Sequence, residues 1–308
     1  AADNALVVSN SASGWVGNYE TKIVDAGVTS FSFDQVVALN SARLTIAPTG
    51  LYDGQEVVVS CSSYGGDGSG TFHIRKPVKL VSNVATATVL GLRLSLEHDS
   101  AINGVSELIL GKVSDGPVEA VKGYLRLVNA NITSMQTLRI VNGAMEVHGT
   151  TGIHLVTFEL ATAGTVLGTG FSHTSNGQGE GKGAGATAGA SHGGLAYGSP
   201  QPYGVVKQPT TVGSGGGGTR GGAAIHISAN TVTLNGLIAS DGTYSTQSGG
   251  GSGGSVWIAA GVCDGPSPIP AALSTYGQRP PTHTRAHRRC AQRVWRNHPS
   301  AGCPRLLE

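Results

Sequence analysis

The stretch that most restricts the fold is residues 213–260, GSGGGGTRGGAAIHISANTVTLNGLIASDGTYSTQSGGGSGGSVWIAA. Glycine runs flank the apolar pieces Ile225-His226-Ile227, Val232-Thr233-Leu234, Leu237-Ile238-Ala239 and Ser255-Val256-Trp257-Ile258-Ala259. Each piece alternates and is built of aliphatic and β-branched residues, so each reads as a strand. Ala229-Asn230 and Asn235-Gly236 leave only tight corners between them, and Asn-Gly tolerates φ > 0 and turns within two residues. Three- or four-residue strands recurring about every seven residues suit one coil of a parallel β-helix. The competing arrangement is two hairpins in a sandwich. In a coil each strand pairs with its equivalent one coil away, so a single coil is not stable alone. The expected fold is all-β: a right-handed parallel β-helix, or solenoid, with a long glycine-rich insertion and an irregular C-terminal tail. Residues 241–254 are expected to loop out between two coils.

Upstream, short candidate strands recur at 5–8, 22–24, 31–39, 43–47, 56–60, 72–74, 78–81, 88–96, 107–110, 124–128, 137–141, 144–148 and 154–160. Asn83, Asn103-Gly104, Asn129, Asn142-Gly143, Gly149 and Gly152 stand at the corners, and 63–71 (SYGGDGSGT) reads as a glycine-rich turn. Coils of two or three such strands would repeat about every twenty residues. From 168 to 222 the composition shifts toward glycine, at every second place over 177–185, with Tyr-Gly units and spaced prolines. A flexible linker needs neither, so this segment reads as an ordered insertion packed along the helix, against the alternative of a disordered loop.

The run GTGFSHTSNGQGEG, then GASHGG, AYGSPQPYG, QPTTVGSGGGG, the strands around Asn235-Gly236 and finally GGGSGGSVWIAA resembles a glycine-rich repeat region of large secreted or surface-exposed proteins of protists, algae, oomycetes and some bacteria. The resemblance covers about residues 31–260, sharply from 168 onward and loosely before. It implies a parallel β-helix in an extracellular, matrix or adhesive protein, and it carries no established activity.

Only 12% of residues are charged and 5% are aromatic, while glycine contributes 48 of 308. This balance suits an extracellular β-rich protein. No run of about 18 apolar residues exists, so no membrane span is expected. The start, Ala1-Ala2-Asp3-Asn4, lacks a basic region and an apolar core, so the chain reads as a mature form or a fragment. Net charge is +2 but uneven: 1–170 holds ten Lys/Arg against 14 Asp/Glu, 171–262 three against two, and 263–308 seven against two. The body, 1–262, is expected to be the β-helix. The tail, 263–308, is rich in Arg, Pro, His and Cys, with strands expected to stop in mid-coil after Gly261. Its composition is what a GC-rich gene read in the wrong frame would give, and a gene-model artefact stands beside a genuine tail.

The chemistry-bearing candidates are few. Glu97 and Asp99 sit at i and i+2 of an extended stretch and so share a face. They are the weak candidates for the two carboxyls, about 5–9 Å apart, of a polysaccharide-cleaving site; solvated corner residues are the plainer reading, for them and for Glu107, Asp115 and Glu119. Asp67 in GGDGSG is a weak candidate calcium ligand, unsupported by any repeated Asp pattern. Cys263, Cys290 and Cys303 are spaced too widely for a zinc site, and Cys61 lies far away. The glycines at 215–218 lack the Gly-Lys-Ser/Thr of a phosphate loop. His226 and Trp257 alternate with aliphatic neighbours; a surface or stacking role for His226 and a packing role for Trp257 are the plain readings, with sugar stacking by Trp257 as the sharper one. Asn131-Ile132-Thr133 is one glycosylation sequon. The tail arginines, with Trp295, form no recognisable nucleic-acid fold, so no nucleic-acid partner is expected.

The expected function is a non-enzymatic structural or adhesive β-helix at the cell surface or outside the cell, in a matrix or wall. Its expected partners are glycans or neighbouring surface and matrix proteins, with no cofactor beyond an optional calcium. The alternative is a carbohydrate-active β-helix, a polysaccharide lyase or hydrolase.

Overall fold

A computed structural model of the chain describes residues 4–10, 20–23, 30–46, 57–75, 78–81, 85–97, 101–113, 120–173, 177–185, 187–193, 195–196, 201–205, 209–244, 249–264 and 272–274. Among them are eighteen strands and no helix. Every pair of named strands is parallel, and each strand pairs with its equivalent in the next coil. The chain is a parallel β-helix with three faces.

The first face holds 30–33, 58–61, Val78–Val81, Ala101–Asn103, 150–155, 224–229 and 255–260. The second holds Ala5–Ser9, 35–39, 63–66, Thr86–Leu90, Glu107–Leu110, 137–140, 157–160, 231–234 and 262–264. The third holds Glu20–Ile23, Arg43–Ile46, Thr71–Arg75, Arg93–Glu97, Gly123–Val128, 142–148, 163–167, Leu237–Ala239 and Ala272–Ser274. Several strands bend round a corner without interruption, and Thr150–Leu167 runs over all three faces.

Alternation selects one row of side chains for the interior, and pairing stacks that row from coil to coil. On the second face Val36, Tyr64, Val89, Leu110, Ile140, Leu160 and Leu234 follow one another in register. Beside them run Ala87, Leu108, Leu138, Phe158 and Val232. On the third face Leu44, Phe72, Leu94, Leu125, Met145, Val166 and Ile238 do the same. All of these but the half-buried Leu234 are buried, and they form one continuous core with Ile225, Ile227, Val256 and Ile258 of the first face. The parallel pairing Ile225↔Val256 and Ile227↔Ile258 excludes hairpins here.

Four local expectations are corrected. The glycine-rich segment 63–71 is not all turn, because strand Val57–Gly66 continues through it. Tyr64 enters the core there, fully buried, and its hydroxyl donates to the Cys61 carbonyl at 3.3 Å. The stretch 88–96 is two strands, Thr86–Leu90 and Arg93–Glu97, broken at Gly91, where φ is 64° and a Cβ would lie 2.2 Å from the Gly66 carbonyl oxygen. Two short strands that apolar alternation did not mark, Ala101–Asn103 and 163–167, are held by register with their neighbours. Finally, the strands do not stop after Gly261. Ser255–Asp264 continues with Cys263 opposite Val232, and Ala272–Ser274 pairs with Leu237–Ala239, so the last coil reaches all three faces. Leu273 there pairs in register with Ile238. Residues 275–308, with Cys290 and Cys303, lie outside the described residues.

The described parts of 168–222 pack against the coil body, and 249–254 joins them. Gly222 N donates to Ser252 O, Ser252 N to Ser214 O, and Gly213 N to Gly222 O, at 2.8–3.0 Å. Ala190 N donates to Gly250 O at 3.1 Å. These segments lie backbone on backbone: a Cβ at Gly222 would be 2.0 Å from Ser240 O, and one at Gly249 1.8 Å from Ala188 O. Neither glycine has positive φ, so close approach and not turning is what demands glycine here. His192 fastens the insertion, with Nδ1 2.8 Å from Gly253 O and Nε2 2.8 Å from Thr211 Oγ1, its ring beside Tyr203.

Leu138→Ala removes a side chain from the middle of an inward column and is expected to lower stability by about 2–5 kcal/mol in urea unfolding. Thr137→Ala, one residue away on the outer side, should change it by less than about 0.5 kcal/mol. Gly222→Ala is expected to lift the glycine-rich insertion from the coils, read as faster hydrogen exchange at Gly213, Gly222 and Ser252 with protection of the Leu138 amide retained.

Candidate functional site

Four successive third-face strands, Thr71–Arg75, Arg93–Glu97, Gly123–Val128 and the 142–148 part of Thr137–His148, bring titratable side chains together on their outer side. Register sets His73, Ser95, Arg126 and Glu146 in one column. Glu97, Val128 and His148 form the next, two residues along each strand. Because neighbouring strands lie about 4.8 Å apart, residues far apart in sequence become side-chain neighbours.

His73 Nδ1 lies 3.3 Å from Glu97 Oε1, within ion-pair reach when the ring is protonated but out of line for a hydrogen bond. Ser95, fully buried, donates from Oγ to the same Glu97 oxygen at 3.4 Å. One column over, Arg126 Nε donates to His148 Nε2 at 3.3 Å, which requires that nitrogen to be unprotonated. Glu146 Oε2 stands 3.8 Å from the same nitrogen, and Arg93 Nη2 lies 3.4 Å from Glu146 Oε1. His148 therefore has two partners competing for one atom: the neutral ring accepts from Arg126, and the protonated ring faces Glu146. The His148 hydrogen bond, followed by the charges of Arg93, His148 and Arg126, holds the Glu146 carboxyl below the usual glutamate range despite its burial. Phe171, from the insertion, stacks on His148 at 3.8 Å and 19°. Arg93 lies 5.7 Å over the Tyr124 ring and is the most exposed ion-pair member of the group, at 43%. The arrangement offers two guanidiniums for an anionic group and two imidazole–carboxylate pairs for proton exchange.

Of the expected pair, Glu97 lies in this cluster, while Asp99 falls outside the described residues, as do Asp115 and Glu119. The partner that the structure gives Glu97 is His73 from the preceding coil. His73, Arg126, Glu146 and His148 were not singled out from sequence. Glu146-Val147-His148 carried a readable i, i+2 signal; the rest needed the coil register.

Asp67 serves a corner. Its Oδ2 accepts from Asn40 N at 2.6 Å, and its Oδ1 accepts from Ser69 N and Ser69 Oγ at 3.0 and 2.6 Å. These bonds, that of the Ser69 hydroxyl foremost, hold its carboxyl below the usual range. Both oxygens are thus engaged with the turn that carries Asn40 and Ser41 at positive φ. No group of three or more His, Cys, Asp or Glu that could hold a metal occurs among the described residues. Glu107 is an ion-pair partner: Arg139 lies 2.8 Å from Glu159 and 3.7 Å from Glu107, clasping three coils on the second face. Asn131 is exposed at a corner, with its Oδ1 accepting from Gly152 N at 2.8 Å. Cys61 is a free, buried thiol, and burial pushes it up. Among the described residues no helix is long and apolar enough to cross a membrane. Comparison with protein-family models, with curated proteins and with solved structures gives no match.

Glu146 has a depressed carboxyl in the folded protein, so its contribution is present above the unfolded glutamate range and is lost as pH falls through the folded value. The melting temperature is expected to drop on acidification from about pH 7 to about pH 3, and Glu146→Gln should flatten that part of the curve while lowering the plateau near neutrality.

Proposed function

We propose that this chain is a non-enzymatic, extracellular or cell-surface β-helix, a structural and adhesive component of a matrix or wall, with glycans or neighbouring surface proteins as its partners. The observation that carries this reading is that charges on the outer faces are matched to one another across coils. Arg139 joins Glu107 and Glu159, and Arg93 joins Glu146. Charge used in this way clamps neighbouring coils and stiffens a solenoid whose stability is a sum of nearest-neighbour contacts. The low overall charge and the abundance of glycine, serine and threonine support an exterior setting, as does the resemblance to glycine-rich surface proteins.

The test is surface labelling of intact source cells with a membrane-impermeant biotin reagent, followed by fractionation into wall, medium and lysate. Recovery in the labelled wall or medium fraction is the expected result. Recovery in the unlabelled lysate overturns the reading.

A second reading, a carbohydrate-active enzyme acting on polyuronates or other wall glycans, is favoured by one observation: Glu97 and Glu146 share a face with His73, His148, Arg93 and Arg126. Incubation of the full chain with polygalacturonate, alginate and neutral wall glycans, with and without calcium, is expected to release neither reducing ends nor unsaturated products. Turnover that disappears in both Glu97→Ala and His73→Ala would establish the enzyme in place of the scaffold.

A further inference from the structure

One side chain of the insertion is bonded at both nitrogens of its ring, and its partners fix which nitrogen carries the hydrogen. His192 Nδ1 lies 2.8 Å from Gly253 O, and Nε2 lies 2.8 Å from Thr211 Oγ1. A carbonyl oxygen only accepts, so Nδ1 carries the hydrogen and donates it. In the neutral ring Nε2 is then bare, and it accepts from the Thr211 hydroxyl. The ring thereby joins three pieces of chain: 187–193, which carries it, 209–214 with Thr211, and 249–254 with Gly253. Around it Ala190 N donates to Gly250 O at 3.1 Å and Ser252 N to Ser214 O at 2.9 Å. Ser255 Oγ, on the first face of the coils, donates to Thr211 O at 2.6 Å.

Protonation reverses one of these bonds. The imidazolium has a hydrogen on each nitrogen, so Nε2 must donate to Thr211 Oγ1 and the Thr211 hydrogen must turn away. The surroundings offer the new charge little. The pieces 209–214 (PTTVGS) and 249–254 (GGGSGG) contain no ionisable side chain. The Tyr203 ring, 4.8 Å away, stays a neutral phenol, because burial pushes its hydroxyl up; that hydroxyl is bonded to Val212 O and Ser214 Oγ at 2.6 and 2.7 Å. Among the described residues the charge that reaches the ring is that of the exposed Glu180, which favours the proton. Burial is the larger effect and holds His192 below the usual imidazole range.

We infer that His192 is a pH-sensitive latch, which holds the insertion on the coils while its ring is neutral and lets it go when the ring is protonated. Docking is strongest above the free imidazole value of about 6.5. It weakens as pH falls through that value, because the undocked ring takes up the proton more readily than the docked one. His173 and His226 are also held below the usual range by burial, but Nε2 of each has no hydrogen-bond partner, so neither is tied at both nitrogens as His192 is. The inference rests on the fold alone and holds wherever the protein resides.

The experiment follows amide exchange by NMR on the full chain at about pH 7.5 and about pH 5, with protection corrected for the intrinsic rate. The Ala190 and Ser252 amides, whose bonds to Gly250 O and Ser214 O flank the latch, are expected to lose protection at least about threefold at the lower pH, while the Leu138 amide keeps its own. His192→Asn keeps a donor near the position of Nδ1 and cannot take up a proton, so it should show no such loss. Equal protection at both pH values in the wild-type chain, or the same loss in His192→Asn, overturns the latch. Loss of Leu138 protection alongside overturns it too, since that is unfolding of the coils and not release of the insertion. If His192→Asn leaves the insertion undocked at the higher pH, the wild-type ring decides the matter. Followed with isotope-labelled histidine, His192 is expected to titrate below free imidazole, and titration at or above that value overturns the inference.

Discussion

No coil of this protein can satisfy its own backbone. The strands of one turn point along three different faces, and they find their backbone partners in the coil before or after. Buried backbone groups left unpaired are too costly to keep, so the register between coils is the condition on which everything else rests. That register fixes which side chains enter the core. A slip of one residue on the second face would bring Thr137 and Arg139 inside and put Leu138 and Ile140 out. The unbroken stack from Leu108 through Leu138 and Phe158 to Val232 makes such a slip prohibitive.

The same register builds the outer surface. Residues separated by one coil, such as Arg139 and Glu159 at 20 residues, become hydrogen-bonded neighbours. The third-face cluster extends this over four coils, from His73 to His148. Rings behave alike: His226 lies on Trp257 because pairing puts them one coil apart, and His148 lies under Phe171. Function in a solenoid is thus assembled along the axis, and a site's members are spaced in sequence by the length of a coil. Variation in that length, and the insertion between the coils that end at 167 and begin at 224, hides the spacing from a direct reading.

This explains what could be read in advance. The strands around Ile225, Val232, Leu237 and Val256 were legible because alternation and Asn-Gly corners are local signals, and their common core followed. The segment 163–167, ATAGTVL in its context, was not legible, since its strand character comes from pairing with 142–146 and not from its own composition. Tyr64 was missed because the glycines that follow it looked like a turn, whereas Gly66 allows close passage of the coils on either side. Glu97 was noticed for its proximity to Asp99, but its partner is His73, a neighbour only through pairing. The strand at Ala272–Ser274 was overlooked because the surrounding Arg- and Pro-rich composition hid three residues whose strand character comes from pairing with Leu237–Ala239.

The glycine-rich insertion links these observations. Glycine loses more conformational entropy on folding than any other residue, so a segment this rich in it must be held by contacts that only glycine permits. Those contacts are the backbone-on-backbone approaches at Gly213, Gly222, Gly249 and Gly251, each too close for a Cβ. Once held, the insertion reaches two faces. At one end Phe171 covers His148, and Gly149 N donates to its carbonyl at 2.7 Å, so it closes one side of the acid–base cluster. Farther along, Pro209 and Thr210 lie beside Gly152, His154 and His226 of the first face, and Ser255 Oγ donates to Thr211 O at 2.6 Å to fix the segment there. An element without a strand of its own among the described residues therefore helps to shape the outer surface of two faces. Its docking is tied to the coils through Gly149 and Ser255, so the glycine contacts that hold the insertion also keep Phe171 over His148.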